Sequence, residues 1–87
     1  MTQETQEASL LDVSVVTPQK VLFEGKVQSV ILPGEKGIFE VLINHKPLLS
    51  LLIIGDIIVD TQSIPIRRGI VRAIKNQVLA IVEGTSH

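Results

Sequence analysis

The feature that most constrains the fold is a succession of short apolar runs separated by turn-forming residues. Val and Ile dominate these runs, and their branched side chains fit strands better than helices. Pro18, Gly25 and the Pro33-Gly34 pair interrupt the runs, as turn residues do. No window combines a helical period with capping residues. The sequence therefore predicts an all-β protein, a two-sheet β-sandwich or flattened barrel of about eight to ten strands.

The predicted strands occupy most of the chain. In chain order they cover 11–15, 21–23, 26–32, 38–43, 48–54, 56–60, 64–67, 69–74 and 78–83. Pro33-Gly34 is expected to form a type II turn, and Thr61-Gln62-Ser63 and Lys75-Asn76-Gln77 are expected to connect two hairpins. We expect one domain over 11–83, with a flexible N-terminal tail (1–10) and a C-terminal tail (84–87).

The apolar pattern exceeds what one small core needs. Leu48–Ile54 is apolar except for Ser50, which is typical of a strand covered on both faces. Ile66, Ile70 and Ile74 are predicted on one side of their strand, with Val71 and Ala73 on the other. Soluble monomers rarely expose large apolar patches, so a partner should cover part of this surface, unless barrel closure buries it.

Composition disfavours several function classes. The chain has no Cys, hence no disulfide framework, thiolate metal site or Cys nucleophile, and its two His disfavour a multi-His metal site. A net charge of −1 and 2% aromatic residues argue against nucleic-acid binding. Residues 1–9 do not read as a targeting segment. The longest apolar stretch falls short of the ~20 residues of a membrane span. We expect a soluble, cytoplasmic chain without a cofactor.

Three groups of residues are candidate sites. His45 is a candidate catalytic base or metal ligand, but no motif ties it to a carboxylate, and a turn His is the favoured interpretation. The segment 33–37 lacks the GK[ST] ending of a phosphate loop and is interpreted as a turn. The loose basic cluster indicates a solvated face, a patch for an acidic protein partner, or a nucleic-acid site; it consists of Arg67, Arg68, Arg72 and Lys75.

Several motifs together resemble the epsilon subunit of F-type ATP synthases. VVTPQKVLFEG (15–25) and VQSVILPGEKGIF (27–39) match the start of that family's sequence pattern, and NHKPLLS (44–50) resembles its NHAPLLT. The segments RGIV (68–71) and NQVLAIVE (76–83) are similar to its closing motifs. The resemblance covers about residues 11–83, in order.

The resemblance implies a fold and a function. The family fold is a β-sandwich, normally followed by a C-terminal helical hairpin. It implies a non-catalytic subunit of the rotor's central stalk, which binds the gamma subunit and the c-ring and couples ion translocation to ATP synthesis. The location implied is peripheral, at the cytoplasmic face of a bacterial inner (or thylakoid-type) membrane, without insertion. The alternative is a small β-barrel enzyme or ligand-binding module that uses His45.

The resemblance also implies interface residues. The c-ring contacts are expected at two segments, Glu35-Lys36-Gly37-Ile38 and Asn44-His45-Lys46. The gamma contacts are expected on Arg68, Ile70 and Arg72. The expected role of the glycines at 34, 37, 55 and 69 is turn geometry.

The sequence departs from the family pattern at several positions. Glu40 stands where the family usually has Gly, Ile43 replaces Pro, and Lys46 replaces Ala. Arg68 replaces the first Gly of a Gly-Gly pair, and this side chain argues against a close approach of a neighbouring backbone at that position. The sequence ends at His87, where the helical hairpin would begin. The expectation is a chain that couples without sensing ATP or inhibiting hydrolysis.

Overall fold

The computed structural model describes residues 10–84 and confirms the all-β prediction. Within this range there are eight strands and no helix. The strands are β1 (Leu11–Val16), β2 (Val21–Val27), β3 (Ser29–Gly34), β4 (Gly37–Leu42), β5 (Leu48–Leu52), β6 (Gly55–Val59), β7 (Gln62–Ile74) and β8 (Gln77–Gly84). Most of each predicted tail, 1–9 and 85–87, lies outside the described residues.

The long strand β7 joins the two layers of the fold. Strands β2, β1, β8, β7 and β5 follow one another in one layer, and β4, β3, β6 and β7 in the other. The C-terminal half of β7 pairs with β5, and its N-terminal half pairs with β6. Strands β1 and β8 are parallel, whereas every other pairing is antiparallel. Because β5 and β6 both also pair with β3, the sandwich is closed along this side like a flattened barrel.

A β-bulge in β7 reverses which residues face the core. The register against β8 shifts between Ile66 and Arg68. Ile66 is buried before the shift, and Val71 and Ala73 are buried after it. One extra residue exchanges the two faces of a strand. The prediction that Ile66 shares a side with Ile70 and Ile74 is therefore wrong, since strict alternation assumes no bulge.

The buried side chains of the core between the layers are all aliphatic, with Phe23 and Phe39 packed partly buried against them. No polar or charged side chain is buried within residues 10–84. Branched side chains from both layers fill this space, as expected where two inner faces interdigitate. The largest fully buried side chains are Leu11, Val13, Val15, Val30, Leu32, Val41, Ile57, Val59, Ile66 and Val71.

Three turns lie elsewhere than predicted. The β6–β7 turn is Asp60-Thr61, because Gln62 and Ser63 already pair in β7. Strand β2 continues through Gly25, and the chain turns at Gln28, whose backbone N–H donates to Asp60 Oδ1 at 3.0 Å. Pro33-Gly34 is not a turn but the end of β3, because the Pro33 carbonyl accepts a hydrogen bond from the backbone N–H of Ile53 at 2.9 Å. The hairpin turn is Glu35-Lys36.

The β7–β8 hairpin forms where it was predicted. Lys75 and Asn76 connect the strands, with φ angles of 52° and 62°. Two successive positive φ angles are typical of a two-residue type I′ turn, whose twist matches that of the flanking strands. Asn tolerates this conformation better than most residues.

Candidate interaction surface

A continuous apolar surface covers the outer side of β5, β7 and β8. Leu49 and Leu51 of β5 are 68% and 52% exposed, although Leu52 beside them is buried. This chain therefore covers only one of the two faces of strand β5. We call this surface the apolar face; it consists of Leu49, Leu51, Ile70, Ile74, Leu79 and Ile81.

Strand pairing makes the apolar face contiguous. Ile70 lies opposite Leu51 on one side and Ile81 on the other. Arg72 likewise lies between Leu49 and Leu79. Side chains directly opposite on neighbouring strands are about 5 Å apart at Cβ, so these rows form one surface.

The residues expected to contact gamma lie on the outer side of β7. Arg68, Ile70 and Arg72 alternate along the strand and are all exposed. Arg68 Nε donates to Glu83 Oε1 at 3.0 Å, in an ion pair exposed to solvent. The structure brings these three residues together on one face.

The close backbone approach lies at Gly69 rather than at Arg68. A Cβ on Gly69 would be 2.6 Å from the Ile81 carbonyl oxygen and 2.7 Å from Val82 Cγ1. Because Arg68 projects outward to Glu83, the arginine does not disturb this approach. The φ of Gly69 is not in the left-handed region, so the prediction that Gly69 serves turn geometry is wrong. Glycine is needed here because β8 packs too closely for a Cβ.

Of the apolar face, the sequence analysis assigned only Ile70 to an interface. Leu49 and Leu51 lie in a run that is apolar on both sides, and Leu79 and Ile81 lie in another. Such runs contain no alternation that separates an inner from an outer face. Only the pairing of β5 and β8 with β7 identifies the exposed side chains.

The β3–β4 hairpin tip lies beside the apolar face. The tip comprises Glu35, Lys36, Gly37 and Ile38, and Ile38 is 78% exposed. Together with Leu49, Leu51 and Ile70 it lines a cleft of ≈ 430 Å³. The structure thus brings the first expected c-ring segment close to an expected gamma residue.

The second expected c-ring segment, Asn44-His45-Lys46, lies at the other end of β4. Strand β4 spans Gly37–Leu42, about 16 Å at ~3.3 Å per residue. The Asn44 backbone N–H donates to Asn76 Oδ1 at 2.6 Å, which attaches this loop to the β7–β8 turn. The two c-ring segments therefore do not form one cluster.

Among residues 10–84, no carboxylate forms a hydrogen bond or ion pair with His45. His45 is exposed, and its Nδ1 lies 2.6 Å from the Lys46 carbonyl oxygen. Its ring thus contacts the backbone rather than an orienting carboxylate. In the part of the chain that the structure describes, no group of three His, Cys, Asp or Glu side chains could hold a metal ion.

The fold and the apolar face define a small β-sandwich domain with an uncovered outer surface. The family described as "ATP synthase, Delta/Epsilon chain, beta-sandwich domain" matches residues 10–86, so the chain belongs to this family. It is 44% identical over 79 residues to an ATP synthase epsilon chain of Nitratiruptor sp., covering 85% of this chain and 61% of that protein. An ATP synthase epsilon chain of Synechocystis sp. is 40% identical over 78 residues, covering 85% of this chain and 57% of that protein.

Two solved structures share the fold. A chain in the Euglena gracilis mitochondrial ATP synthase (OSCP/F1/c-ring) has a TM-score of 0.78 at 14% identity, covering 85% of this chain and 51% of that chain. A chain in the Tetrahymena thermophila mitochondrial ATP synthase (central stalk/c-ring) has a TM-score of 0.70 at 13% identity, covering 84% of this chain and 63% of that chain. The chain spans about three fifths of the two bacterial relatives. Residues 10–84 include no helix that could cross a membrane.

Proposed function

We propose that this chain is the β-sandwich part of a non-catalytic subunit in the rotor's central stalk. It binds the gamma subunit and the c-ring, and it couples ion translocation to ATP synthesis by holding gamma on the ring. Membership of the delta/epsilon family supports this proposal. The subunit is located peripherally, at the cytoplasmic face of the membrane in a bacterium.

The apolar face is the observation that carries the proposal. Six large aliphatic side chains are exposed next to one another on the sheet. A soluble domain rarely leaves such a patch open to water unless a partner covers it. Gamma is the partner that the family resemblance implies, and Arg68, Ile70 and Arg72 lie on or beside this patch.

The c-ring contact has a geometric consequence. The hairpin tip and the Asn44–Lys46 loop are at opposite ends of β4, so both reach one ring only if β4 lies across it. The outward side chains of β4 would then contact the ring as well. These are Ile38, Glu40 and Leu42, all exposed in this chain. Strand β4 is also an edge strand of the fold, so its unpaired backbone edge is accessible next to these side chains.

Binding to gamma is tested with the gamma subunit from the same genome. We expect a stable one-to-one complex by size-exclusion chromatography with light scattering. The double variant Leu49→Ser/Leu51→Ser should weaken it at least about tenfold, since each change removes apolar contact area. Val21→Ser is the matched control, because Val21 is 57% exposed but lies on β2, outside the apolar face. Equal loss of affinity in the control would show that the apolar face is not the gamma site.

The two c-ring segments are tested by cross-linking. The chain has no Cys, so single-Cys variants react at one place only. In the assembled rotor we expect Glu35→Cys and Lys46→Cys both to cross-link to the ring, and Lys20→Cys, in the β1–β2 turn, not to. If only Glu35→Cys cross-links, the Asn44–Lys46 loop is not a ring contact.

A further inference from the structure

Arg72 is a single cation inside the apolar face. Leu49 and Leu79 flank it on the neighbouring strands, and Ile70 and Ile74 lie two residues away along β7. Arg68, by contrast, pairs with Glu83. Among residues 10–84, no carboxylate lies within 4.0 Å of the Arg72 guanidinium, and Arg72 makes no side-chain hydrogen bond.

Covering the apolar face removes water from this guanidinium. Arginine does not lose its proton in proteins, so it cannot escape burial by becoming neutral. A buried charge without a partner costs several kcal/mol, which would offset much of the gain from burying the leucines around it. The occupant of this face must therefore supply acceptors at the position of Arg72.

We propose that the surface covering the apolar face is itself apolar and carries one Asp or Glu that pairs with Arg72. A carboxylate is favoured because the planar guanidinium forms two parallel hydrogen bonds with it. Four aliphatic neighbours would exclude water from this pair. The inference rests on the proposed function, because it specifies the chemistry of the gamma segment that docks there.

Within the part of the chain that the structure describes, Asp12 is a carboxylate that could compete for Arg72. Asp12 and Arg72 line one shallow cleft of ≈ 200 Å³, together with residues of β8. Asp12 lies opposite Gln77, one strand beyond β8 from Arg72. It forms no ion pair with Arg72 in the isolated chain. The alternative is an ion pair between Arg72 and Asp12 that forms only when gamma binds, and the experiment must distinguish it from a pair with a carboxylate of gamma.

The test measures the affinity of single variants for gamma. Arg72→Leu should weaken binding by roughly 30-fold or more, since it leaves the carboxylate of the partner buried without its cation. Arg72→Lys should weaken it less. Arg67→Leu is the matched control, because Arg67 is an exposed arginine on the same strand but outside the apolar face, and we expect a change within about twofold. Asp12→Asn should behave like this control.

The partner residue is then identified by a double-mutant cycle. Each Asp and Glu on the docking segment of gamma is replaced by Ala, alone and with Arg72→Leu. One position should show non-additivity of at least about tenfold. Arg72→Leu binding as tightly as the unmodified chain, or more tightly, overturns the inference and leaves the proposed function standing. An effect of Asp12→Asn equal to that of Arg72→Leu also overturns it. Failure of the unmodified chain to bind gamma refutes the proposed function instead.

Discussion

Gly69→Ala tests whether the close approach of β7 to β8 shapes this domain. The new methyl group would meet the Ile81 carbonyl oxygen at 2.6 Å and Val82 Cγ1 at 2.7 Å. The first of these contacts is backbone, which cannot rotate away. The two strands must therefore separate beside the bulge at Ile66–Arg68, on the strand that carries the centre of the apolar face.

The magnitude follows from two opposing terms. Forcing an extra carbon into a packed site costs about 1–3 kcal/mol. Replacing Gly also lowers the entropy of the unfolded chain, which returns about 0.4–1 kcal/mol. The net loss should be about 1–2 kcal/mol. For a domain of this size, that corresponds to a decrease in Tm of roughly 5–15 °C.

Thermal unfolding followed by far-UV circular dichroism or calorimetry measures this effect. Intrinsic fluorescence is unsuitable, because the chain has no Trp or Tyr. Gly84→Ala is the matched control, since a Cβ there meets nothing within 4 Å, and its Tm should be unchanged or slightly higher. If Gly69→Ala unfolds at the same temperature as Gly84→Ala, the contact is not close and the reasoning is refuted.

Three further predictions concern the turns. Gly37→Ala should lower the free energy of unfolding by about 1–3 kcal/mol in chemical denaturation, because Gly37 has a φ of +128° although its Cβ position is empty; an unchanged midpoint would contradict this. Asp60→Ala should lower the free energy of unfolding by about 1–2 kcal/mol, since Asp60 Oδ1 accepts hydrogen bonds from two backbone N–H groups at the β2–β3 corner. Asp60→Asn keeps an acceptor oxygen and should lower it less, so equal losses in the two variants would exclude this role. His45→Ala should change stability by no more than about 0.5 kcal/mol but weaken binding to the c-ring; a collapse in Tm would show that His45 is structural.

The ring and gamma assignments depended on information of different kinds. The motifs around NHKPLLS and RGIV led to the family, and the family match confirms that recognition. They could not show how the expected contacts are arranged in space. The structure places the hairpin tip beside Ile70, and the Asn44–Lys46 loop beside Asn76, because strand pairing connects segments far apart in sequence.

The sequence by itself determined the all-β class, most strand positions and the β7–β8 hairpin around Lys75-Asn76. These depend on local chemistry: β-branched side chains, Gly and Pro interruptions, and a residue that tolerates positive φ. Tertiary structure alone decided which side of each strand faces the core. Strand β5 is apolar on both sides, so only its pairing with β7 exposes Leu49 and Leu51. The bulge before Arg68 similarly buries Ile66 and exposes Ile70, because one unpaired residue reverses the alternation that a sequence pattern assumes.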